Sequence, residues 1–268
     1  LVFVNPMFED RDKAALQPDV RQLHRSRSAE LSDARALDRS RRRAERWSYA
    51  IERWLKPQSR VLEVGAGDGA LVELLLKHGH TPVALDPDAE SCAYVASRFG
   101  VRTLAARIEE ADLAAEGPFD AVFMLNLIEH LEDPGATLKQ LHPALREGGI
   151  IGIETPNILR TKVGPRRMYS FPHNFYFSPD SLLCLVSAQG YEPVQWREFP
   201  LDMFHLIVRK REAAPSLAIK PPGSHARQVR LAIRNHHRAY YLRGQFLLRK
   251  VPVFRNWYLY GRYRDRLF

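Results

Sequence analysis

The run Val61-Leu62-Glu63-Val64-Gly65-Ala66-Gly67-Asp68-Gly69 constrains the fold more than any other part of the chain. A short, mostly apolar strand ends on three alternating glycines, and a helical stretch over 69–78 follows at once. Glycine accepts positive φ and carries no side chain, so the backbone can turn tightly there and approach a ligand closely. A strand–turn–helix unit cannot bury its apolar faces alone; it needs strands beside it and helices across it. The downstream chain supplies them. Strands are predicted over 82–85, 101–104, 119–125 and 150–154, with helices over 90–99 and 134–145 between them. Ser178-Pro179, an N-cap followed by a first-turn proline, opens another helix to 189. Two further strands are predicted near 192–197 and 203–209. This alternation with short links predicts an α/β fold: a largely parallel sheet with helices on both faces.

Around this body lie two flanks. Residues 1–45 read as an N-terminal helical arm, with a polar helix over 29–46 that gains an apolar face through Trp47, Ile51 and Trp54. The body spans 46–211. A linker over 212–224 holds Pro215, Pro221, Pro222 and Gly223, and 225–268 reads as a basic, aromatic helical extension. Charge follows this division. Residues 220–268 carry 12 lysines and arginines against one acid, net +11, whereas 51–158 carry 9 against 17, net −8. The basic pI therefore belongs to the tail, and it does not make the whole chain a nucleic-acid binder. A hydrophobic fraction of 45% is enough for a sizeable core. No stretch reaches the roughly 18 uncharged apolar residues of a membrane helix. Two cysteines, Cys92 and Cys184, without CxxC spacing fit a reducing, cytoplasmic setting and a packing role.

The glycine loop places a ligand over a helix N-terminus at the carboxyl edge of the sheet. Asp86 ends the next predicted strand, where a carboxylate can accept from both hydroxyls of a ribose. Gly65, Gly67 and Ala70 also satisfy the dinucleotide pattern, so a nicotinamide or flavin enzyme is one reading. Glu63 and Asp68 weigh against it, because negative charge there suits an ammonium group better than a pyrophosphate.

Ordered motifs beyond the loop narrow the choice. They are Ala84-Leu85-Asp86, Phe119-Asp120-Ala121-Val122, Asn126-Leu127-Ile128-Glu129-His130-Leu131-Glu132-Asp133-Pro134, Leu145-Arg146-Glu147-Gly148-Gly149 and Glu154-Thr155-Pro156-Asn157. With the glycine loop, this set resembles the class I S-adenosylmethionine-dependent methyltransferases over residues 59–209. His173-Asn174-Phe175-Tyr176-Phe177-Ser178 resembles the branch of ubiquinone-type, sugar and natural-product O-methyltransferases. The resemblance implies a Rossmann-like seven-stranded sheet whose last strand, near 203–209, is antiparallel. It implies S-adenosylmethionine as cofactor and S-adenosylhomocysteine as product. Position by position, it implies that Gly65, Ala66 and Gly67 hold the methionine part, with Glu63 near the ammonium. Asp86, followed by Pro87, takes the ribose hydroxyls. Ile108 and Glu109 flank the adenine; this chain has Arg107-Ile108-Glu109 where a Gly-Asp-Ala type of run is usual. Asn126 and Leu127 line the floor under the sulfonium.

Methyl transfer to a hydroxyl is helped by a base that takes its proton. His130 follows the fourth strand and is the first candidate, with Glu129 to orient it; capping of the following turn is the plainer role for His130. His173, in a lid-like stretch over 155–177, is the second candidate. Phe175 and Phe177 are expected to pack the lid. Arg166, Arg167 and Tyr169 could meet an acidic substrate group, or be solvated loop charge. His78 and His80 have no accompanying acid or histidine cluster, and no metal site is expected.

The expected activity is methyl transfer to a hydroxyl of a small molecule or glycan, with a sugar or lipid-linked acceptor favoured. The alternatives are an RNA or amine N-methyltransferase and a non-catalytic binding subunit of the same fold. The tail has Val229, Ile233, His237 and Tyr240 on one helical face, among arginines at 227, 230, 234 and 238. It reads first as docking on the body or on a second copy in a homodimer. Peripheral contact with an anionic bilayer at the inner membrane face comes second. Nucleic acid comes third.

Overall fold

Short apolar runs become central strands because both faces of this sheet are covered. The structure, a computed structural model, describes residues 2–3, 31, 33–160, 173–198, 203–211 and 223–242. Seven strands form the main sheet: β1 (Arg60–Val64), β2 (Thr81–Asp86), β3 (Arg102–Ala105), β4 (Phe119–Leu125), β5 (Leu145–Pro156), β6 (Tyr191–Glu198) and β7 (Met203–Lys210). Their spatial order is β3-β2-β1-β4-β5-β7-β6. The ladders from β3 to β5 are parallel, and β7 runs antiparallel to both neighbours, as expected. Strand order reverses beside β1, which pairs with both β2 and β4. A crevice opens at the carboxyl ends of strands at such a switch point, and ligands bind there.

Alternate side chains of the strands enter two cores. Leu62, Val64, Val122, Met124, Ile151 and Ile153 face one side. They pack there with Leu138 and Leu141 of α6 (Pro134–Ala144) and Leu182 and Val186 of α7 (Pro179–Ala188). Phe177 is fully buried in the same core, with Phe175 packed against it, so both pack the lid as expected. On the other side, Val61, Ala121, Phe123, Ile150 and Ile207 meet Trp47, Ile51, Leu71 and Leu75. Gly152 makes room on that face: a Cβ there would lie 2.5 Å from the Phe123 ring and 2.8 Å from Trp47.

The arm is helical from α1 (Ala34–Ala44) through a 3₁₀ turn (Glu45–Trp47) into α2 (Ser48–Trp54). Trp47 and Ile51 are buried and Trp54 half-buried, as their spacing predicts. The predicted helix over 29–46 is interrupted at Asp33, whose backbone is extended and whose carboxylate accepts from the Arg35 N–H to cap α1; residues 29–30 lie outside the described residues. Helices α3 (Ala70–Lys77) and α4 (Ala89–Phe99) follow β1 and β2. The one-turn α5 (Leu113–Glu116) was not expected from the sequence. Cys92 and Cys184 are free thiols.

The extension begins as α8 (His225–Leu242), docked on the body. Val229 is buried with Ile158 and Tyr176, and Ile233 packs beside them. His225 lies 3.1 Å from the Ser178 hydroxyl and 3.3 Å from the Asp180 carboxylate. Arg227, Arg230, Arg234 and Arg238 are exposed, as the helical spacing predicts. The side chains of His237 and Tyr240 lie outside the described residues. So do the linker over 212–222, the loop over 161–172 with Arg166, Arg167 and Tyr169, and the aromatic stretch over 243–268. Among the described residues, no helix is long and apolar enough to cross a membrane.

Candidate functional site

The glycine loop is held open by backbone geometry. Gly65, Gly67 and Gly69 adopt φ of +77°, +55° and +73°. A side chain at Gly65 would be strained at this φ and would place its Cβ 3.3 Å from the Leu127 side chain, which would have to give by a few tenths of an ångström. The Gly67 N–H donates to Asp86 Oδ2 and the Asp88 N–H to Asp86 Oδ1, each at 2.9 Å. Asp86 thus ties the glycine loop to the turn after β2. Asp86 also lines the cavity, and a carboxylate oxygen accepts more than one hydrogen bond, which suits a ribose hydroxyl.

These loops line a cavity of about 680 Å³, within the range of small-ligand sites. Of the residues that the sequence nominates, Glu63, Gly65, Ala66, Gly67, Asp86 and Pro87 line one part of it. Asn126, Leu127 and His130 line another. The structure does not bring Ile108 and Glu109 to the cavity wall: Ile108 is buried in the main core, and Arg107 is the residue of that segment that lines the cavity. Glu63 is 4% exposed, and its Oε2 has no hydrogen-bond partner. Burial and the nearby Asp68 push its carboxyl well above the usual carboxylate range. An orphaned buried carboxyl oxygen in a cavity wall, beside a glycine cradle, fits the ammonium group of a methionine moiety.

Part of the wall comes from residues that no motif marks. Ala36, Ser40, Arg43 and Ala44 of α1 face the cavity. The signal was present: small residues recur at positions 36, 40 and 44, one helical face, with an arginine beside the last. Arg43 brings a cation to the wall, where a ligand carboxylate would meet it.

At the far side, the turn after β4 is stitched to the segment 173–175. The Asn174 and Phe175 N–H groups donate to the Glu129 carbonyl at 2.8 and 3.0 Å, and Asn174 Nδ2 donates to the carbonyls of His130 and Leu131. This brings the His130 and His173 rings to 4.7 Å between centroids. Glu129 is buried and accepts from the Thr155 hydroxyl at 2.9 Å. Burial raises its carboxyl to about 7. Burial, followed by the neighbouring His130, lowers His173 to about 4, so its ring is neutral at pH 7. Glu129, His130 and His173 each offer one donor atom within 4.8 Å of the others, a spacing a divalent cation can bridge. His78 and His80 belong to no such group among the described residues.

Comparison with known proteins agrees with this geometry. The family model described as "Methyltransferase domain" matches residues 37–195. The chain is 34% identical over 117 residues to a ubiquinone biosynthesis O-methyltransferase of Xanthomonas campestris, covering 42% of this chain and 49% of that protein. It is 28% identical over 135 residues to a probable S-adenosylmethionine-dependent methyltransferase of Mycobacterium tuberculosis, 50% of this chain and 49% of that one. The chain spans about half the length of these curated relatives. In fold it is similar to the 1,6-didemethyltoxoflavin-N1-methyltransferase of Burkholderia thailandensis, solved with S-adenosylhomocysteine. The TM-score is 0.60 at 23% identity, over 79% of this chain and 95% of that one. It is also similar to a SAM-dependent methyltransferase from Archaeoglobus fulgidus, with a TM-score of 0.54 at 16% identity, over 62% and 92% of the two chains. With the matched family model spanning more than half of its residues, the chain belongs to the S-adenosylmethionine-dependent methyltransferases.

Proposed function

We propose that the chain methylates a hydroxyl of a small molecule or glycan, a sugar or lipid-linked acceptor being favoured, and that His130 removes the hydroxyl proton. The observation that carries this reading is His130 in the cavity wall, beside the Asn126-Leu127 floor, with its ring against a histidine that burial keeps neutral. The relatives named O-methyltransferases support the hydroxyl acceptor. S-adenosylmethionine supplies an activated methyl group, so much of the protein's task is positioning and exclusion of water. Gly65–Gly67 cradle the methionine part, Glu63 faces its ammonium, and Asp86 receives the ribose. Arg43 and the small face of α1 cover the cavity from the arm. His130 holds the acceptor's proton, and Glu129 orients the turn that carries it. His173, held near 4 by burial, is a poor proton acceptor at neutral pH and serves as the neutral partner of His130.

The test is an acceptor screen by mass spectrometry, with phenols, nucleotide sugars, glycans, amines and RNA, each incubated with S-adenosylmethionine. Methylation of a hydroxyl compound is the expected result. Methyl groups found only on nitrogen would overturn the hydroxyl reading, and cofactor binding without turnover on any acceptor would favour a binding subunit.

A further inference from the structure

Behind the cavity floor lies a buried pair that the proposed reaction does not use. Asn126 lines the cavity in a left-handed conformation, φ +52°. Its side-chain amide nitrogen donates to Glu154 Oε1 at 3.0 Å, and its backbone N–H donates to the Glu154 carbonyl at 2.8 Å. The other carboxylate oxygen, Glu154 Oε2, meets His205 Nε2 at 2.6 Å. Both side chains are fully buried, and the two residues are register partners across β5 and β7. The His205 ring lies flat on Trp47, 4.1 Å between centroids and 8° between planes. A glycine at position 152 allows Trp47 to lie there.

This arrangement fixes the polarity of the floor. Burial works against a charge on Glu154, but the hydrogen bond from His205, with Arg43 and Arg46 nearby, outweighs it and keeps the carboxyl below the usual range. Burial also lowers His205, which is therefore neutral and donates from Nε2. An ionised carboxylate only accepts hydrogen bonds. The Asn126 –NH₂ must therefore face Glu154, and its Oδ1 is turned away from the pair.

We propose that Glu154, held by His205, is a positioning residue that makes the cavity floor selective for a cationic sulfonium over a neutral thioether. It orients the Asn126 amide so that an oxygen serves the cavity, and it sets a negative charge one hydrogen bond behind the amide nitrogen. Once the methyl group has left, the cofactor's sulfur is uncharged and this attraction is gone. The pair thus favours the reactant, S-adenosylmethionine, over the product, S-adenosylhomocysteine, and eases exchange after each turnover. The inference rests on the reading above that the sulfonium lies over Asn126 and Leu127.

Isothermal titration with three ligands tests it without any acceptor: S-adenosylmethionine, S-adenosylhomocysteine, and sinefungin, which carries an ammonium in place of the sulfonium. In Glu154→Gln the single amide oxygen accepts from His205, and the new –NH₂ turns the Asn126 amide so that an N–H meets the cavity. Affinity for the two cationic ligands is expected to fall roughly tenfold or more, and that for S-adenosylhomocysteine by less than about threefold. Asn126→Gly keeps the left-handed backbone and removes the amide, and it should shift the ratio in the same direction. It carries the test if Glu154→Gln does not fold. Equal weakening of all three ligands would mean that the pair only supports structure, and overturns the proposal. A wild-type chain that binds none of the three would instead overturn the cofactor placement on which it rests.

Discussion

Glu129→Gln should change how the stability of this protein depends on pH. Glu129 is 2% exposed, and burial raises its carboxyl from 4.5 to about 7, while the Thr155 hydrogen bond pulls the other way. Each pKa unit corresponds to about 1.4 kcal/mol, so the rise amounts to about 3 kcal/mol between the two limits. The folded pKa lies above the unfolded one, so the folded chain holds this proton more tightly. The contribution is therefore fully present below about pH 4.5 and is lost as pH rises through about 7. Glutamine keeps an acceptor for Thr155 and cannot ionise, so it removes that dependence. Urea unfolding at pH 5 and pH 8.5 measures it. The variant should gain on the wild type between the two values, by up to about 3 kcal/mol. Parallel pH profiles for the two proteins would refute the reasoning, because they would place the Glu129 carboxyl in contact with water.

Four further outcomes are expected. Gly152→Ala should lower stability by about 1–3 kcal/mol in denaturant melts, because its Cβ would lie 2.5 Å from the Phe123 ring and 2.8 Å from Trp47, with buried rings and not flexible chain ends in the way. Asp86→Ala should weaken S-adenosylmethionine binding by more than the roughly 1.5–3 kcal/mol of one charge-assisted hydrogen bond, since the same carboxylate holds the Gly67 and Asp88 N–H groups; calorimetry checks it. His130→Ala should reduce turnover of a hydroxyl acceptor by roughly 10²–10⁴-fold with cofactor affinity intact, and His173→Ala by much less; the reverse order would move the base to the lid. Treatment with a chelator should leave turnover unchanged if His130 acts as a base, whereas loss restored by a divalent metal would assign Glu129, His130 and His173 to a cation.

The sheet was legible because its signals are local. β1, β2 and β4 are apolar runs that end at Gly65, Asp86 and Asn126, and those residue types mark turns wherever they fall. Boundaries were less legible. The expected strand over 150–154 is the centre of β5, which runs Leu145–Pro156. Its first residues pair only through Phe119 and Leu145 before a register shift, and Arg146-Glu147-Gly148-Gly149 has the composition of a turn. Hydropathy cannot tell such a polar, twisted start from a loop. The four-residue α5 is too short to show a period. The arm's break into a 3₁₀ turn at Glu45–Trp47 is likewise invisible to spacing, because Trp47 reads the same on either kind of helix.

The site divides along the same line. Glu63, Gly65, Gly67, Asp86, Asn126 and His130 sit in strand-end motifs, where position along the chain already implies position at the sheet's carboxyl edge. Ile108 shows the limit of that logic. The segment after β3 lies beside the cavity, but which side chain points inward depends on the turn, and the apolar Ile108 goes to the core while Arg107 stays at the wall. Arg43 reaches the cavity from α1, outside every motif, and Asn174 from a motif that marks the family resemblance but not a place at the cavity wall. The Glu154–His205 pair is harder still to read: each residue alone looks like an ordinary polar interruption of an apolar strand. Only the antiparallel register of β5 with β7 sets them opposite each other, and rings from the arm, Trp47 and Tyr49, stack against the histidine. Burying a carboxylate is costly unless it is hydrogen-bonded. Here one oxygen is met from β7 and the other from Asn126, so the strand order that makes the fold also determines which atom of the Asn126 amide faces Glu154.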